Sequence, residues 1–412
     1  MGKKKIICLL SMCLCLVMLS ACGKQTVSAS LEETVNDIST FTVSDDVKIV
    51  GLGEASHGAH EYQQMKAEVF QALVANNGCT TFIIEGDFGG CLKVEQYIHG
   101  ADGTAKDAAA EIGFAIYRTK EMAELIDWMR EYNKTAPEGK DLHFYGMDMQ
   151  RYDNNKAYLF EVLDAAAPEL SEKYKEAFAD LTDENRLTLE KDTLSKAKEE
   201  AQTLSEEMEK KKEDMVSVVG ETAFDFAKEC ANSIQECSVL AVSDSDYNTL
   251  RDGYMADKVN WYMEHGDGSV LFINGHNGHI GKTSPSGYPC LGNLLSEEYK
   301  TAYFAVGTDA GNTVFNSQTD QDFEEAEVKN ENNFTSLATD TDSYYYLDFA
   351  SVKDDENWQK ILNSSQKMTS LNVSVSKAEL KMASFYTQKI VPSETYDGVI
   401  IFSKVTPTEV EL

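Results

Sequence analysis

The sequence predicts an α/β protein with a central, mainly parallel sheet flanked by helices and a largely helical insertion near residues 155–245. Three observations carry this. Short β-branched and aromatic runs alternate with segments whose apolar residues recur at helical spacing, the pattern of parallel strands joined by right-handed crossovers. The 155–245 stretch is rich in Glu, Lys, Ala and Leu and holds one proline, Pro168. Each clear strand-like run ends in an acid or a histidine, which places a polar site at the carboxyl ends of the strands.

The elements follow in order. Residues 47–52 (VKIVGL) read as a buried strand. Tyr62, Met65, Val69, Phe70 and Leu73 then recur at helical spacing, with Gly78 as the stop signal. Residues 80–84 (TTFII) are a second strand, 119–135 a helix with Met122, Leu125, Ile126 and Met129 inward, and 142–146 (LHFYG) a third strand. Within the insertion, residues 196–215 (KAKEEAQTLSEEMEKKKEDM) carry charge with sparse Leu204, Met208 and Met215. Such a run reads as a solvated helical face, or as a lid over the site. Strands resume at 269–274 (SVLFIN) and 301–306, then at 344–349 and 399–402.

The chain has 412 residues, 42% of them hydrophobic and 26% charged, enough for a normal core. Its net charge of −32 repels phosphate backbones, so no nucleic-acid partner is expected. Lys3, Lys4 and Lys5 precede an apolar run over 6–19, and Leu19-Ser20-Ala21-Cys22 follows. This resembles the lipobox of bacterial lipoproteins, which implies a signal peptide over 1–21, cleavage before Cys22 and lipidation of Cys22. Residues 22–40 then form a lipidated tether and first helix, and 41–412 the catalytic domain. Cleavage takes three lysines and no acid from a chain of net charge −32, leaving −35. An acidic body is repelled by anionic lipid, so the expected cell-membrane, extracytoplasmic location rests on the two-chain anchor alone. Cys79, Cys91, Cys230, Cys237 and Cys290 remain after processing and read as small buried hydrophobes.

Four clusters carry the chemistry: Gly53-Glu54-Ala55-Ser56-His57-Gly58, Glu85, Gly146-Met147-Asp148-Met149-Gln150 and Gly275-His276-Asn277-Gly278-His279. Far apart in sequence, they converge if each sits at a strand's carboxyl end. Histidine takes a proton near neutral pH, and a carboxylate beside it fixes its tautomer and raises its basicity. No Gly-x-Ser-x-Gly elbow and no GxGxxG occur, and Gly281-Lys282-Thr283 fails the phosphate-loop spacing because His276 stands where glycine is required. His99, His143 and His265 lie outside the clusters and read as structural or exposed.

In this order the clusters resemble the erythromycin esterase family. The matching pieces are GLGEASHG (51–58), TTFIIEGDFG (80–89), WMREYNK (128–134), FYGMDMQ (144–150), RDGYMAD (251–257), INGHNGHIGKT (273–283), CLGNLLSEEY (290–299) and YDGVIIFSKVTPT (396–408). The resemblance implies an α/β hydrolase of a carboxylic ester or lactone, with a small-molecule substrate, no cofactor, no metal and a monomeric chain. It places the general base on His57 and further catalytic groups on Glu54, Glu85 and His276. Lys66 stands where the family usually has arginine, and with one mobile charge in place of a planar fork it would orient a substrate differently. Either Glu54 or Glu85 holds the base. His60 and His279 read as supporting groups, and Asp148 and Arg251 as an ion pair or as ligand contacts. Two other readings share these residues: a metal-dependent hydrolase using the same histidines and glutamates, and a lipid-anchored protein that binds a small molecule without converting it.

Overall fold

The computed structural model describes residues 29–411 except 244, 267, 320–321 and 339–343. The expected signal segment (1–21) and the expected lipidation site Cys22 lie outside the described residues. Among the described residues ten strands are formed: β1 (Ile49–Glu54), β2 (Thr81–Asp87), β3 (His143–Asp148), β4 (Leu271–His276), β5 (Tyr303–Gln318), β6 (Phe323–Lys329), β7 (Tyr344–Asp348), β8 (Gln366–Thr369), β9 (Thr387–Ile390) and β10 (Gly398–Val405). The main sheet runs β3-β2-β4-β1-β5-β10-β7, with β6 paired to β5. Its central pairings are parallel, while β7 on β10 and β6 on β5 are antiparallel. This is the expected α/β class. β6, β8 and β9 lie outside the runs that read as strands, and β5 runs well past 306.

The helices preceding β3 are α1 (His60–Asn77), α2 (Phe88–Ile98), α3 (Ala105–Glu111) and α4 (Lys120–Asn133). Those between β3 and β4 are α5 (Asp153–Ala166), α6 (Pro168–Ala177), α7 (Lys191–Lys210), α8 (Lys212–Val219), α9 (Glu221–Val242) and α10 (Tyr247–His265). α11 (Asn277–Ile280) and α12 (Leu291–Tyr299) follow β4. The helical segment therefore runs on beyond residue 245 through α10. Residues 29–40 hold only a 3₁₀ turn, Ile38–Thr40, in place of a first helix, and Val35 bridges to Tyr346 of β7.

Strand side chains alternate between two cores. Val50 and Leu52 of β1, Phe82 and Ile84 of β2 and Phe272 of β4 join the core under α1, α3 and α4. Ile49, Ile83, Leu271 and Ile273 join the core under α5–α10 and α12. With both faces covered, each of these strands is apolar along its length, and full burial of each such side chain contributes about 1.5–3 kcal/mol. Leu204, Met208 and Met215 of the charged run are fully buried in the second core. The ion pairs of α7 and α8 join neighbouring helices, as in Lys173–Glu207, Lys211–Glu169 and Lys228–Glu209. The run is thus the outer face of a helical layer. No helix among the described residues is long and apolar enough to cross a membrane.

The strand order sets the site. β4 returns from the helical layer and inserts between β1 and β2. Glu54 is thereby registered against His276, and Ile84, next to Glu85, against Asn274. Gly275 stays without a side chain for a steric reason: a Cβ there would sit 3.1 Å from Glu85 Oε2. A Cβ on Gly53 would fall 2.3 Å from Asn277 Oδ1.

Candidate active site

β1 delivers Glu54 and the loop after it delivers His57. Glu54 Oε1 lies 2.6 Å from His57 Nδ1, and both side chains are buried. Glu54 Oε2 lies 2.9 Å from Lys66 Nζ, an ion pair without hydrogen-bond alignment, and accepts a longer 3.4 Å bond from Gln63 Nε2. Gln63 Nε2 also donates to the His57 carbonyl at 2.8 Å, tying the loop to α1. Burial alone would raise the Glu54 carboxyl, but the Lys66 ammonium and His57 outweigh it and hold it below its usual value. Glu54, not Glu85, therefore anchors His57. In neutral His57 the Nδ1 proton goes to Glu54, so Nε2, which has no hydrogen-bond partner among the described residues, is the free basic nitrogen.

His276 complements it. Its Nδ1 accepts the Gly278 N–H at 3.2 Å, which puts the ring proton on Nε2. That Nε2 is buried without a partner, and the ring lies 5.5 Å from the His57 ring, tilted by 40°. Burial, reinforced by His57, lowers the His276 pKa to about 4. His276 is thus neutral near pH 7 and presents an unspent N–H donor.

Glu85 supports the site without touching the base. Its Oε2 accepts the His276 backbone N–H at 2.8 Å, and its Oε1 lies 2.8 Å from Arg251 Nη2 and 3.3 Å from His279 Nε2. Arg251 Nη2 also reaches Asp148 Oδ2 at 2.6 Å, and His279 Nδ1 reaches Asp252 Oδ1 at 2.7 Å. Burial opposes ionisation of Glu85, but His279 and Arg251 overcome it and hold its carboxyl well below the usual range. Burial also opposes the charged form of His279, yet Glu85 and Asp252 raise its pKa to about 10. Arg251 Nη1 lies 3.0 Å from His279 Nε2: it donates there to a neutral ring, and protonation of His279 turns the approach into a like-charge contact balanced by Glu85, Asp148 and Asp252.

The raised His279 pKa fixes a sign. Its stabilisation is fully present below the ordinary value of 6.5 and is lost as pH rises through about 10. Urea midpoints measured across that interval should fall for the wild type and fall less for His279→Gln. Equal slopes would show that His279 does not titrate there.

Glu54, His57, Lys66, Glu85, Asp148, Arg251, His276 and His279 are thus brought together. His60 is not: its Nδ1 pairs with Glu121 of α4 at 2.5 Å. Lys66 is fully buried against Glu54, so it holds the carboxylate rather than a substrate. Asp148 and Arg251 form the buried ion pair, with Glu85 as third member. Sequence reasoning missed Tyr117, which ends a short 3₁₀ turn and follows no strand. Its buried hydroxyl has no partner, its ring lies 6.2 Å from that of His57, and Lys66 Nζ sits 5.4 Å from its centroid. Burial, then Glu85 and Glu54, raise its pKa, so it stays a neutral phenol. Among the described residues, the active-site histidines and carboxylates do not offer three converging donor atoms for a metal; that arrangement occurs at Glu95, His99 and His143. The site sets His57 and the neutral His276 between two buried carboxylate–cation groups, Glu54–Lys66 and Glu85–Arg251, at the carboxyl ends of the strands.

The erythromycin esterase family model matches residues 74–405, and the chain belongs to that family. The matched span begins after the Glu54–His57 loop. Erythromycin esterase type II of Escherichia coli is 32% identical over 114 residues, which cover 28% of this chain and about a quarter (26%) of that protein. A Bacillus cereus protein of known crystal structure is 24% identical, with TM-score 0.78, 94% of this chain and 96% of that one covered. A succinoglycan biosynthesis protein is 20% identical, with TM-score 0.75 and coverage of 89% and 90%. A histidine-to-asparagine mutant of the erythromycin esterase EreC, in its open conformation, is 15% identical, with TM-score 0.65 and coverage of 89% and 93%. These structures share the fold.

Proposed function

We propose that the chain hydrolyses a carboxylic ester or lactone by general-base activation of water at His57. The observation that carries the reading is the buried Glu54–His57 pair with a free Nε2, next to a neutral His276 with an unspent N–H. Water gives a proton to His57 Nε2 as its oxygen attacks the carbonyl carbon. The resulting imidazolium is held by Glu54. His276 Nε2–H donates to the developing oxyanion, a contribution on the order of 10²–10³ in rate for one such donor. The carbon–oxygen bond of the leaving alcohol then breaks, and His57 returns the proton to it.

The test is a hydrolysis screen of simple esters, lactones and erythromycin with wild type beside His57→Ala, His276→Ala and Glu85→Ala. Turnover by the wild type that is severely impaired in all three supports the proposal. Because Lys66 is spent on Glu54, its replacement of arginine does not argue against a macrolide substrate.

We further propose that the protein is held outside the cytoplasm by lipid on Cys22, on the strength of Leu19-Ser20-Ala21-Cys22 after the 14-residue apolar run. Wild type is expected to partition into detergent and Cys22→Ser into water. Unchanged partitioning of the variant, with residues 1–21 still present by mass spectrometry, would refute it.

A further inference from the structure

At the opposite rim of the sheet, where β2, β3 and β4 begin, a second cluster stands apart from the site above. Sequence reading left His99 and His143 without company; the fold supplies it. Glu95 lies in the last turn of α2, His99 caps that helix, and His143 opens β3. The spacing of four residues puts Glu95 and His99 on one helix face, and the strand brings His143 against them. Glu95 Oε1 lies 2.7 Å from His143 Nδ1 and 3.3 Å from His99 Nδ1. The two imidazole rings are 5.3 Å apart at 25°. One donor atom from each of the three residues falls within 4.8 Å of the other two, and no other His, Cys, Asp or Glu group among the described residues meets that condition.

We propose that Glu95, His99 and His143 bind a divalent transition-metal ion of the zinc class. Two imidazoles and one carboxylate match its ligand preference, and tetrahedral bonds of about 2.0–2.2 Å place neighbouring donors about 3.3–3.6 Å apart. Glu95 to His99 already has that spacing. Glu95 to His143 needs to open by at least roughly half an ångström as the metal replaces the shared proton. His99 Nδ1 also gives up its 2.9 Å bond to the Glu95 carbonyl. The carboxylate is held in place from behind: Glu95 Oε2 accepts the Phe144 backbone N–H at 2.8 Å, leaving Oε1 for the ion. The Tyr145 hydroxyl, 3.3 Å from His143 Nδ1 and 3.5 Å from Glu95 Oε1, flanks the same point.

Three protein ligands leave the fourth position open. His143 and Tyr145 also line a cleft of about 550 Å³ whose walls include Phe226, Trp261 and Tyr262.

The test is a calorimetric titration of the chelator-treated, dialysed full chain with Zn²⁺ near neutral pH, with Co²⁺ substitution to report ligand type from its visible spectrum. One ion per chain is expected, with a nitrogen–oxygen tetrahedral spectrum. Both His143→Ala and His99→Ala should weaken binding by at least the roughly 10–100-fold that loss of a ligand's hydrogen-bond partner already costs, while His57→Ala should leave it unchanged. His99 is exposed at a helix end, so its variant reads the site even where His143→Ala disturbs the strand. Absent binding, binding unchanged in His99→Ala, or binding lost in His276→Ala but kept in His99→Ala would overturn the proposal.

Discussion

His57→Ala is expected to lower kcat/KM on the best ester or lactone substrate by at least about a hundredfold, the lower end of what general-base assistance contributes. The fold should survive. The His57 ring touches Glu54 through one hydrogen bond, and Glu54 keeps Lys66 and Gln63 when that bond is gone. Circular dichroism and urea unfolding of the variant establish that the loss is catalytic. Steady-state kinetics then decide: a variant that hydrolyses the substrate as fast as wild type would remove His57 from the mechanism. The Glu54 arm sharpens the case. Glu54→Gln keeps the shape but not the charge that stabilises the imidazolium, so its loss should fall in kcat more than in KM.

The largest stability effect is expected from Arg251→Ala. The guanidinium bridges Glu85 and Asp148, and the three side chains are 13%, 8% and 0% exposed. Removing it leaves Glu85 with His279 alone and strips the fully buried Asp148 of its cationic partner. Breaking one partner of a buried ion pair costs about 3–5 kcal/mol. The urea midpoint should fall accordingly, and Arg251→Lys should recover part of the loss, since lysine restores the charge but not the two-point geometry. A midpoint for Arg251→Ala within about 0.5 kcal/mol of wild type, the range of ordinary surface substitutions, would show that the cluster contributes nothing net.

The edge strands explain what sequence reading missed in the fold. β6 (FEEAEVK) is largely polar, and six of its seven residues are exposed or half-buried, so it carries no apolar run to be found. The second half of β5 mixes Asn, Thr and Ser with Val314 and Phe315 and is held by antiparallel pairing to β6. The central strands were legible because burial on both faces forces them to be apolar along their length, and because their polar ends stand out against that background.

The sequence by itself determined the α/β class, the helical layer between β3 and β4, and the gathering of Glu54, His57, Glu85, Asp148, His276 and His279 at one rim. These follow from local chemistry: apolar runs, helical periodicity and polar residues at strand ends. Tertiary structure decided the pairings. Both Glu54 and Glu85 were open as partners of the base, and the insertion of β4 between β1 and β2 assigned Glu54 to His57 and Glu85 to the His276 backbone, Arg251 and His279. It turned Lys66 onto Glu54 and His60 onto Glu121, brought Tyr117 beside His57, and joined His99 to His143 through Glu95. The physical reason is one of range. A side chain's type and periodicity are local properties, whereas a hydrogen bond of about 3 Å depends on strand order and register set by the whole core.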